Sequence, residues 1–166
     1  MNIFKVRPAI LFTPATNPDR FQKAIDIGAN GLIIDLEDSV AIQDKESARG
    51  CAFDFLATPS DKSFIIILRI NSITNKYGLK DLIGLSEHKK LNIDAILYPK
   101  TESAGELNVI SAVLKASNNN IPLIALIESS IGLAKLDDTV QRATNLVGTM
   151  FGAADFATDM NCSLEL

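Results

Sequence analysis

The sequence predicts an α/β fold in which buried parallel strands alternate with helices, in the manner of a (β/α)8 barrel of the TIM type. Six short segments are rich in Ile, Leu and Val and mostly do not alternate polar with apolar residues, which is typical of strands covered on both faces. Helical patterns lie between them, and the segments begin 23 to 33 residues apart. Polar residues follow many of the strands. This regular pattern favours a barrel over the alternative, an open doubly wound sheet.

The strands are predicted, in chain order, at 8–13 (PAILFT), 31–36 (GLIIDL), 64–70 (FIIILRI), 94–98 (DAILY), 121–127 (IPLIALI) and 146–151 (LVGTMF). Asn17 followed by Pro18 predicts the start of the first helix, and Gly28 predicts its end. Ser103 with Glu106 three residues later has the spacing of a capping box, which predicts a helix start. Weaker patterns predict helices over 43–56, 79–91 and 132–143.

The length of 166 residues predicts one domain, 1–166. Eight βα units need roughly 220 residues or more. We therefore expect about six of the eight units, either in a truncated barrel or in a fragment of a longer chain.

Composition excludes several classes of partner. The net charge is −4 and no basic cluster stands out, so nucleic acid is not expected as a partner. No apolar run approaches the roughly 20 residues of a membrane span, and the N-terminus lacks a signal-peptide pattern. The two cysteines do not form a C-x-x-C motif. These features predict a cytoplasmic protein that does not bind membranes.

Charged residues cluster where the strands are predicted to end, which is where parallel α/β folds place their chemistry. The set comprises Asp35, Glu37, Asp38, Glu128 and Asp155, with the cations Arg69 and Lys100. Several carboxylates in one site need a counter-charge, and a hard divalent cation such as Mg²⁺ is the simplest one. Glu128 and Asp155 follow adjacent strands and are the predicted metal ligands. The alternative is that these carboxylates merely cap the following helices.

Arg69 ends an apolar strand and therefore needs an anionic partner. Its planar fork suits a substrate carboxylate, although a structural pair with Glu37 or Asp38 is the alternative. Lys100 is expected to stay charged among the carboxylates, which makes it a poor Schiff-base nucleophile. The small residues Gly152, Ala153 and Ala154 would let backbone N–H groups approach a ligand closely. Arg7 precedes the first strand, and it is either a substrate-binding residue or simply a solvated charge.

In this order, the strand-end motifs resemble the citrate lyase β-subunit branch of the HpcH/HpaI aldolase superfamily, which includes malyl-CoA, β-methylmalyl-CoA and citramalyl-CoA lyases. The motifs are RPAILFTP at 7–14, DLEDSV at 35–40 followed by Lys45 and Arg49, LRIN at 68–71, YPKTES at 98–103, IESSIG at 127–132 and FGAADF at 151–156. The resemblance runs from Arg7 to about Met160.

The resemblance implies a Mg²⁺-dependent barrel, usually a homo-oligomer (trimer or hexamer), that reversibly cleaves a citryl-, malyl- or citramalyl-type thioester into an acyl thioester and a 2-oxoacid. The thioester is carried by CoA or an acyl-carrier protein. By this resemblance Glu128 and Asp155 bind the metal, Arg69 holds the oxoacid carboxylate and Arg7 helps to hold the thioester end. Glu37, Asp38 and Lys100 lie around the metal, and the two acids are candidate acid–base groups beside Arg69.

The sequence departs from the family pattern at two places. It has Pro14-Ala15 where the family usually has Pro-Gly, and it stops after the sixth strand, before the C-terminal segment that supplies a catalytic aspartate to a neighbouring subunit in the CoA lyases. We therefore expect the 166-residue chain alone to have little lyase activity. Two alternatives remain open: a catalytically weak barrel that binds metal and oxoacid or assembles with partners, and a 2-oxoacid aldolase of the same superfamily.

Overall fold

The computed structural model describes residues 9–58, 64–88 and 90–164. Within them, strands and helices alternate along the chain. The strands are β1 (Ile10–Pro14), β2 (Gly31–Asp35), β3 (Ile65–Arg69), β4 (Ala95–Tyr98), β5 (Leu123–Ile127) and β6 (Leu146–Phe151). The helices are α1 (Asp19–Asp26), α2 (Lys45–Leu56), α3 (Lys76–Glu87), α4 (Ala104–Ala116), α5 (Ser130–Ala134), α6 (Leu136–Arg142) and α7 (Ala153–Asp159). A 3-10 turn, Ile42–Asp44, leads into α2.

The six strands form one parallel sheet in the order β1-β2-β3-β4-β5-β6. Each strand pairs with the next one along the chain, which is the order of a TIM-type barrel. An open doubly wound sheet would instead reverse its strand order at a switch point. The prediction of a TIM-type fold with six βα units is thus confirmed. The sheet is not closed among the described residues, where β1 and β6 are its edges.

Both faces of the central strands are buried, as their continuous apolar sequences predict. One face packs against the helices and includes Leu32, Ile34, Leu68 and Ile96. The opposite face holds a smaller apolar cluster around Ile33, Ile67, Leu97 and Leu126. Successive side chains of a strand point to opposite faces. Asp35 and Arg69 therefore continue the second face, at the carboxyl end of the sheet.

The predicted strand bounds agree with the observed ones within about two residues, whereas three helix predictions need correction. The predicted helix 132–143 is two helices, because the chain turns at Lys135 (φ −99°, ψ 5°). Helix α3 begins at Lys76, three residues before the predicted start, because the Asn75 side chain caps it, and it ends at Glu87, four residues before the predicted end. Helix α1 begins at Asp19. The Asn17 side chain does not cap this helix; instead, the Asn17 carbonyl oxygen accepts a hydrogen bond from the Arg20 N–H.

The predicted capping box at Ser103 is also wrong in detail. Ser103 precedes α4 but makes no side-chain cap. Glu106 instead accepts long hydrogen bonds of 3.5 Å from the Glu102 N–H and the Ser103 hydroxyl. Since Glu106 also accepts from the Tyr98 hydroxyl at 3.2 Å, its carboxylate is drawn toward β4. In the part of the chain that is described, no helix has the length and apolar character of a membrane span.

Candidate active site

Asp35 and Arg69 form the centre of the site at the carboxyl end of the sheet. The register pairs them directly across β2 and β3. Arg69 donates from Nε to Asp35 Oδ1 and from Nη2 to Oδ2, both at 2.6 Å. Asp35 also accepts from the Glu37 N–H and from the hydroxyl and N–H of Ser39. Burial alone would raise the pKa of Asp35, but Arg69 and these hydrogen bonds bring it below its usual value. Asp35 is therefore a fixed anion that orients the guanidinium.

Glu37 and Asp38 follow β2 in a loop that two cations hold in place. The buried Glu37 carboxylate lies 3.2 Å from Arg69 Nη1 and accepts from Lys100 Nζ at 2.6 Å. Lys100 Nζ also lies 3.2 Å from Asp38 Oδ1. The structure thus brings Arg69, Glu37, Asp38 and Lys100 together, as the strand-end positions predict. Burial is the main reason that the pKa of Glu37 is raised, although Lys100 and Arg69 oppose the shift.

Lys100 links this acidic loop to Glu128 through both its side chain and its backbone. Its φ of 49° is in the left-handed region, which is uncommon outside glycine. In this conformation the Lys100 N–H donates to Glu128 Oε2 at 2.9 Å while the side chain reaches Glu37. Burial would lower the pKa of Lys100, but the two neighbouring carboxylates raise it overall. Lys100 is therefore a cation, as expected, and not a neutral amine nucleophile.

Glu128 and Asp155 line the same cleft. Glu128 follows β5 and is 5% exposed, whereas Asp155 lies in the first turn of α7 and is more accessible. Burial raises the pKa of Glu128 to about 7, with a further contribution from the negative charge of Asp155. Among the described ranges, neither carboxylate has a cationic side chain within ion-pair distance. In the same ranges, no group of three or more His, Cys, Asp and Glu side chains is arranged to hold a metal.

The cleft has a volume of about 410 Å³ and runs between the ends of β1 and β6. One side is polar, formed by Asp35, Arg69, Glu128 and Asp155. The remaining wall is mostly apolar or small and consists of Phe12, Thr13, Pro14, Ser39, Leu126, Met150, Phe151, Gly152, Ala153 and Ala154. The predicted small segment 152–154 therefore does line the site.

Gly152 determines how closely the chain after β6 can approach Glu128. A Cβ atom at this position would lie 2.5 Å from Glu128 Cγ and 2.8 Å from Oε1, both shorter than real contacts allow. Glycine is thus favoured here by the close approach of the Glu128 side chain and not by a left-handed backbone, since φ is −95°.

The charges of the site do not balance without a further cation. Around the ends of β2, β3 and β4, the three carboxylates of Asp35, Glu37 and Asp38 are matched in number by three cations. Arg69 and Lys100 contact the carboxylates directly, whereas Lys45 bonds the backbone carbonyls of the same loop. Glu128 and Asp155 add two negative charges when both are ionised. Within the described residues, the cleft therefore has an excess of two negative charges, which matches one divalent cation.

Several features of the site were not predicted. The pairing of Arg69 with Asp35 was not predicted. Arg69 also pairs with Glu37, as the structural-pair alternative expected, but among the described residues it makes no ion pair with Asp38. The buried group formed by Lys45, Asn71 and Asp81 also went unnoticed. Asp81 shares the buried face of α3 with Gly78, Leu82 and Leu85, so a carboxylate within an apolar stripe was the available signal. Arg7 lies outside the described residues.

A parallel sheet in sequential strand order, with a charged cleft at its carboxyl edge, defines a TIM-barrel-type protein with the layout of an enzyme site. Residues 8–165 match the sequence profile of the family described as HpcH/HpaI aldolase/citrate lyase. The chain belongs to this family, as the strand-end motifs imply.

Relatives in this family include two curated lyases and a solved structure. The chain is 27% identical to the citrate lyase subunit beta of Leuconostoc mesenteroides subsp. cremoris, with 96% of this chain and 54% of the relative covered. It is 30% identical to the L-malyl-CoA/beta-methylmalyl-CoA lyase of Rhodobacter capsulatus, with 90% of this chain and 49% of the relative covered. The structure is the citrate lyase beta subunit of M. tuberculosis complexed with oxaloacetate and magnesium. It is similar to this chain with a TM-score of 0.77 and 31% identity, and 98% of this chain and 66% of that one are covered. The chain spans about half the length of the curated relatives it matches.

Proposed function

We propose that the protein is a Mg²⁺-dependent carbon–carbon lyase that cleaves a citryl-, malyl- or citramalyl-type acyl thioester, linked to CoA or to a carrier protein, into an acyl thioester and a 2-oxoacid. One observation carries the proposal. Glu128 and Asp155 share a cleft with Arg69, and among the described residues no cationic side chain lies within ion-pair distance of either carboxylate. Family membership and the names of the relatives support the same reaction class.

The donor set fits Mg²⁺. Both proposed ligands are carboxylates, which are the hard oxygen donors that this ion prefers, and two protein ligands leave positions for water and substrate oxygens. Glu128 Oε2 already accepts the Lys100 N–H, which orients this carboxylate. When bound, Mg²⁺ would act as a Lewis acid toward the hydroxyl or oxo group and the carboxylate of the substrate.

In this proposal Arg69 binds and orients the 2-oxoacid carboxylate. The two hydrogen bonds to Asp35 use two of the five N–H groups of the guanidinium, and Nη1 lies 3.2 Å from Glu37 Oε2 in an ion pair. The remaining N–H groups are available to a ligand in the cleft that Arg69 lines. Because Asp35 holds the guanidinium bidentately, Arg69 loses little freedom when a ligand binds, which favours positioning of the substrate.

We assign Glu37 as the first candidate for the acid–base group, ahead of Asp38. Its carboxylate is buried and its pKa is raised, so it can hold a proton at a higher pH than an exposed glutamate. Lys100 donates to Glu37 Oε1 and can stabilise the anion after the proton has left. On the other side of the cleft, the small residues Gly152, Ala153 and Ala154 leave space for the thioester end.

Calorimetric titration of the purified protein with MgCl₂ and oxaloacetate tests the binding part of the proposal. We expect the parent protein to bind oxaloacetate only with Mg²⁺, and both Glu128→Gln and Asp155→Asn to lose most of the Mg²⁺ affinity. Asp137→Asn, which changes an exposed carboxylate of α6, is the matched control and should bind normally. Unchanged Mg²⁺ affinity in both site variants would contradict the metal assignment.

A lyase assay with malyl-CoA, citramalyl-CoA and citryl-CoA tests the reaction. For the 166-residue chain we expect only slow release of a 2-oxoacid, and this release should depend on Mg²⁺ and Glu128. Binding of metal and oxoacid without turnover of any thioester would instead favour a binding role for the chain.

We further propose a homo-oligomer (trimer or hexamer) from the family resemblance, and a cytoplasmic location from the composition. Light scattering of the purified protein measures the assembly state, and a monomer at all concentrations would contradict it.

A further inference from the structure

We propose that Lys45 is a positioning residue that fixes the loop carrying Glu37 and Asp38, and so determines where the Glu37 carboxylate lies in the cleft. The inference rests on the proposed function of that cleft. Lys45 begins α2, seven positions after Asp38, and it is 8% exposed. A lysine is seldom so deeply buried unless its ammonium group is fully hydrogen-bonded.

The Lys45 ammonium group binds the backbone of the acidic loop. Nζ donates at 2.7 Å to the carbonyl oxygens of Leu36 and Glu37 and to Asn71 Oδ1. These three bonds use all three ammonium donors. Two of them end on consecutive carbonyls at the start of the loop, so Lys45 restricts the backbone from which the Glu37 side chain extends. Lys45 makes no hydrogen bond to the carboxylates themselves, and it is therefore not placed to contact a substrate.

A second buried layer holds Lys45 and Asn71 in this arrangement. Asn71 Nδ2 donates to the Leu36 carbonyl at 2.9 Å and to Asp81 Oδ2 at 2.7 Å, while the Asn71 N–H donates to the same Asp81 oxygen at 2.9 Å. The Leu36 carbonyl thus accepts two bonds, which uses both of its lone pairs. Asp81 is fully buried and accepts from Arg49 Nε at 2.7 Å. The loop is consequently anchored by α2, by α3 and by the segment that follows β3.

This anchoring matters because the Glu37 carboxylate contacts two cations at once. Its Oε1 accepts from Lys100 Nζ at 2.6 Å, and its Oε2 lies 3.2 Å from Arg69 Nη1. A backbone shift of about 1 Å would break one of these contacts, and a misplacement of that size in an active site can lower a reaction rate by about 100-fold. Lys45 therefore acts on ligand binding through Glu37.

A double-mutant cycle tests this coupling. The variants are Lys45→Met, Glu37→Gln and the pair together, with oxaloacetate affinity in Mg²⁺ as the readout. We expect Lys45→Met to weaken binding on the order of 10- to 100-fold in the parent background, but less than about threefold when Glu37 is already glutamine. If Lys45→Met does not fold, Lys45→Gln takes its place in the cycle, because glutamine keeps a hydrogen-bond donor. Lys115→Met, at an exposed position of α4, is the matched control and should bind as the parent does.

Equal losses in the two backgrounds would overturn the proposal, because a general loss of structure would act whether or not Glu37 is present. A crystal structure of the Lys45 variant provides a second readout that needs no ligand. We expect it to lack the contacts of Glu37 with Lys100 and Arg69, and intact contacts would refute the positioning role. If the parent protein binds no oxoacid, the proposed function fails, while this structural comparison still decides the role of Lys45.

Discussion

Replacement of Gly152 by alanine tests the geometry of the cleft with a single methyl group. The backbone at Gly152 has φ −95°, which alanine adopts without strain, so the effect arises from the added atom alone. That Cβ would lie 2.5 Å from Glu128 Cγ. Ordinary carbon–carbon contacts are about 3.5–4.0 Å, so Glu128 or the chain at Gly152 must move by about 1–1.5 Å.

Glu128 cannot absorb this movement freely, because it is buried and its Oε2 accepts the Lys100 N–H. Magnesium requires ligands at about 2.0–2.1 Å in near-octahedral geometry, so a displaced carboxylate binds it poorly. We expect Gly152→Ala to weaken Mg²⁺ binding in the presence of oxaloacetate by about 10- to 100-fold. The free energy of unfolding should fall by about 1–3 kcal/mol from overpacking.

Isothermal titration calorimetry and thermal unfolding measure the two effects separately. Gly50→Ala is the matched control, because a Cβ at this position of α2 meets nothing within 4 Å. It should leave Mg²⁺ binding unchanged and raise the free energy of unfolding by about 0.5–1 kcal/mol. A folded Gly152→Ala variant that keeps the parent affinity for Mg²⁺ and oxaloacetate within twofold would refute the assignment of Glu128 as a constrained ligand.

Three further variants or conditions probe other parts of the structure. Arg69→Lys cannot reproduce the bidentate bond to Asp35, so we expect oxoacid affinity to fall at least tenfold by calorimetry; unchanged affinity would return Arg69 to a purely structural role. The pKa of Glu128 is raised from 4.5 to about 7, so the folded state binds the extra proton between these values. The melting temperature of the metal-free protein should therefore decrease as the pH rises through this window, and Glu128→Gln should remove that contribution. Asn75→Ala removes the side chain that accepts two backbone N–H groups at the start of α3; it should cost about 1 kcal/mol of unfolding free energy in a denaturant titration and leave Mg²⁺ binding intact.

The central strands β2 to β5 were predictable from the sequence because burial on both faces leaves a continuous apolar signal. Their regular spacing also indicated the barrel-type order, and position at a strand end was sufficient to predict that Glu37, Asp38, Arg69 and Lys100 lie together. Helix bounds were less accurate, since the break at Lys135 depends on backbone angles that no apolar pattern records.

Side-chain partners were the part that the sequence did not reveal. Asp35 was recognised as a strand-end carboxylate, but its pairing with Arg69 depends on the register of β2 against β3. The contacts among Lys45, Asn71 and Asp81 join three separate elements, and lysine alone gives no sign of burial. Such contacts require the tertiary structure, because strand position predicts which edge a residue occupies and not which neighbour it binds.

The two excess negative charges of the cleft have a consequence for the order in which ligands bind. An oxoacid carboxylate entering the metal-free cleft meets the negative charge of Asp155 and, when it is ionised, that of Glu128, whose pKa is raised to about 7. At about 4 Å the repulsion between two unit charges amounts to about 4 kcal/mol at an effective dielectric constant of about 20, and it opposes the attraction of Arg69. Mg²⁺ reverses the sign of this interaction, so the ion should bind before the oxoacid. By linkage, the factor by which Mg²⁺ raises the affinity for the oxoacid equals the factor by which the oxoacid raises the affinity for Mg²⁺. The protein would therefore bind Mg²⁺ weakly in a cell that contains little free oxoacid.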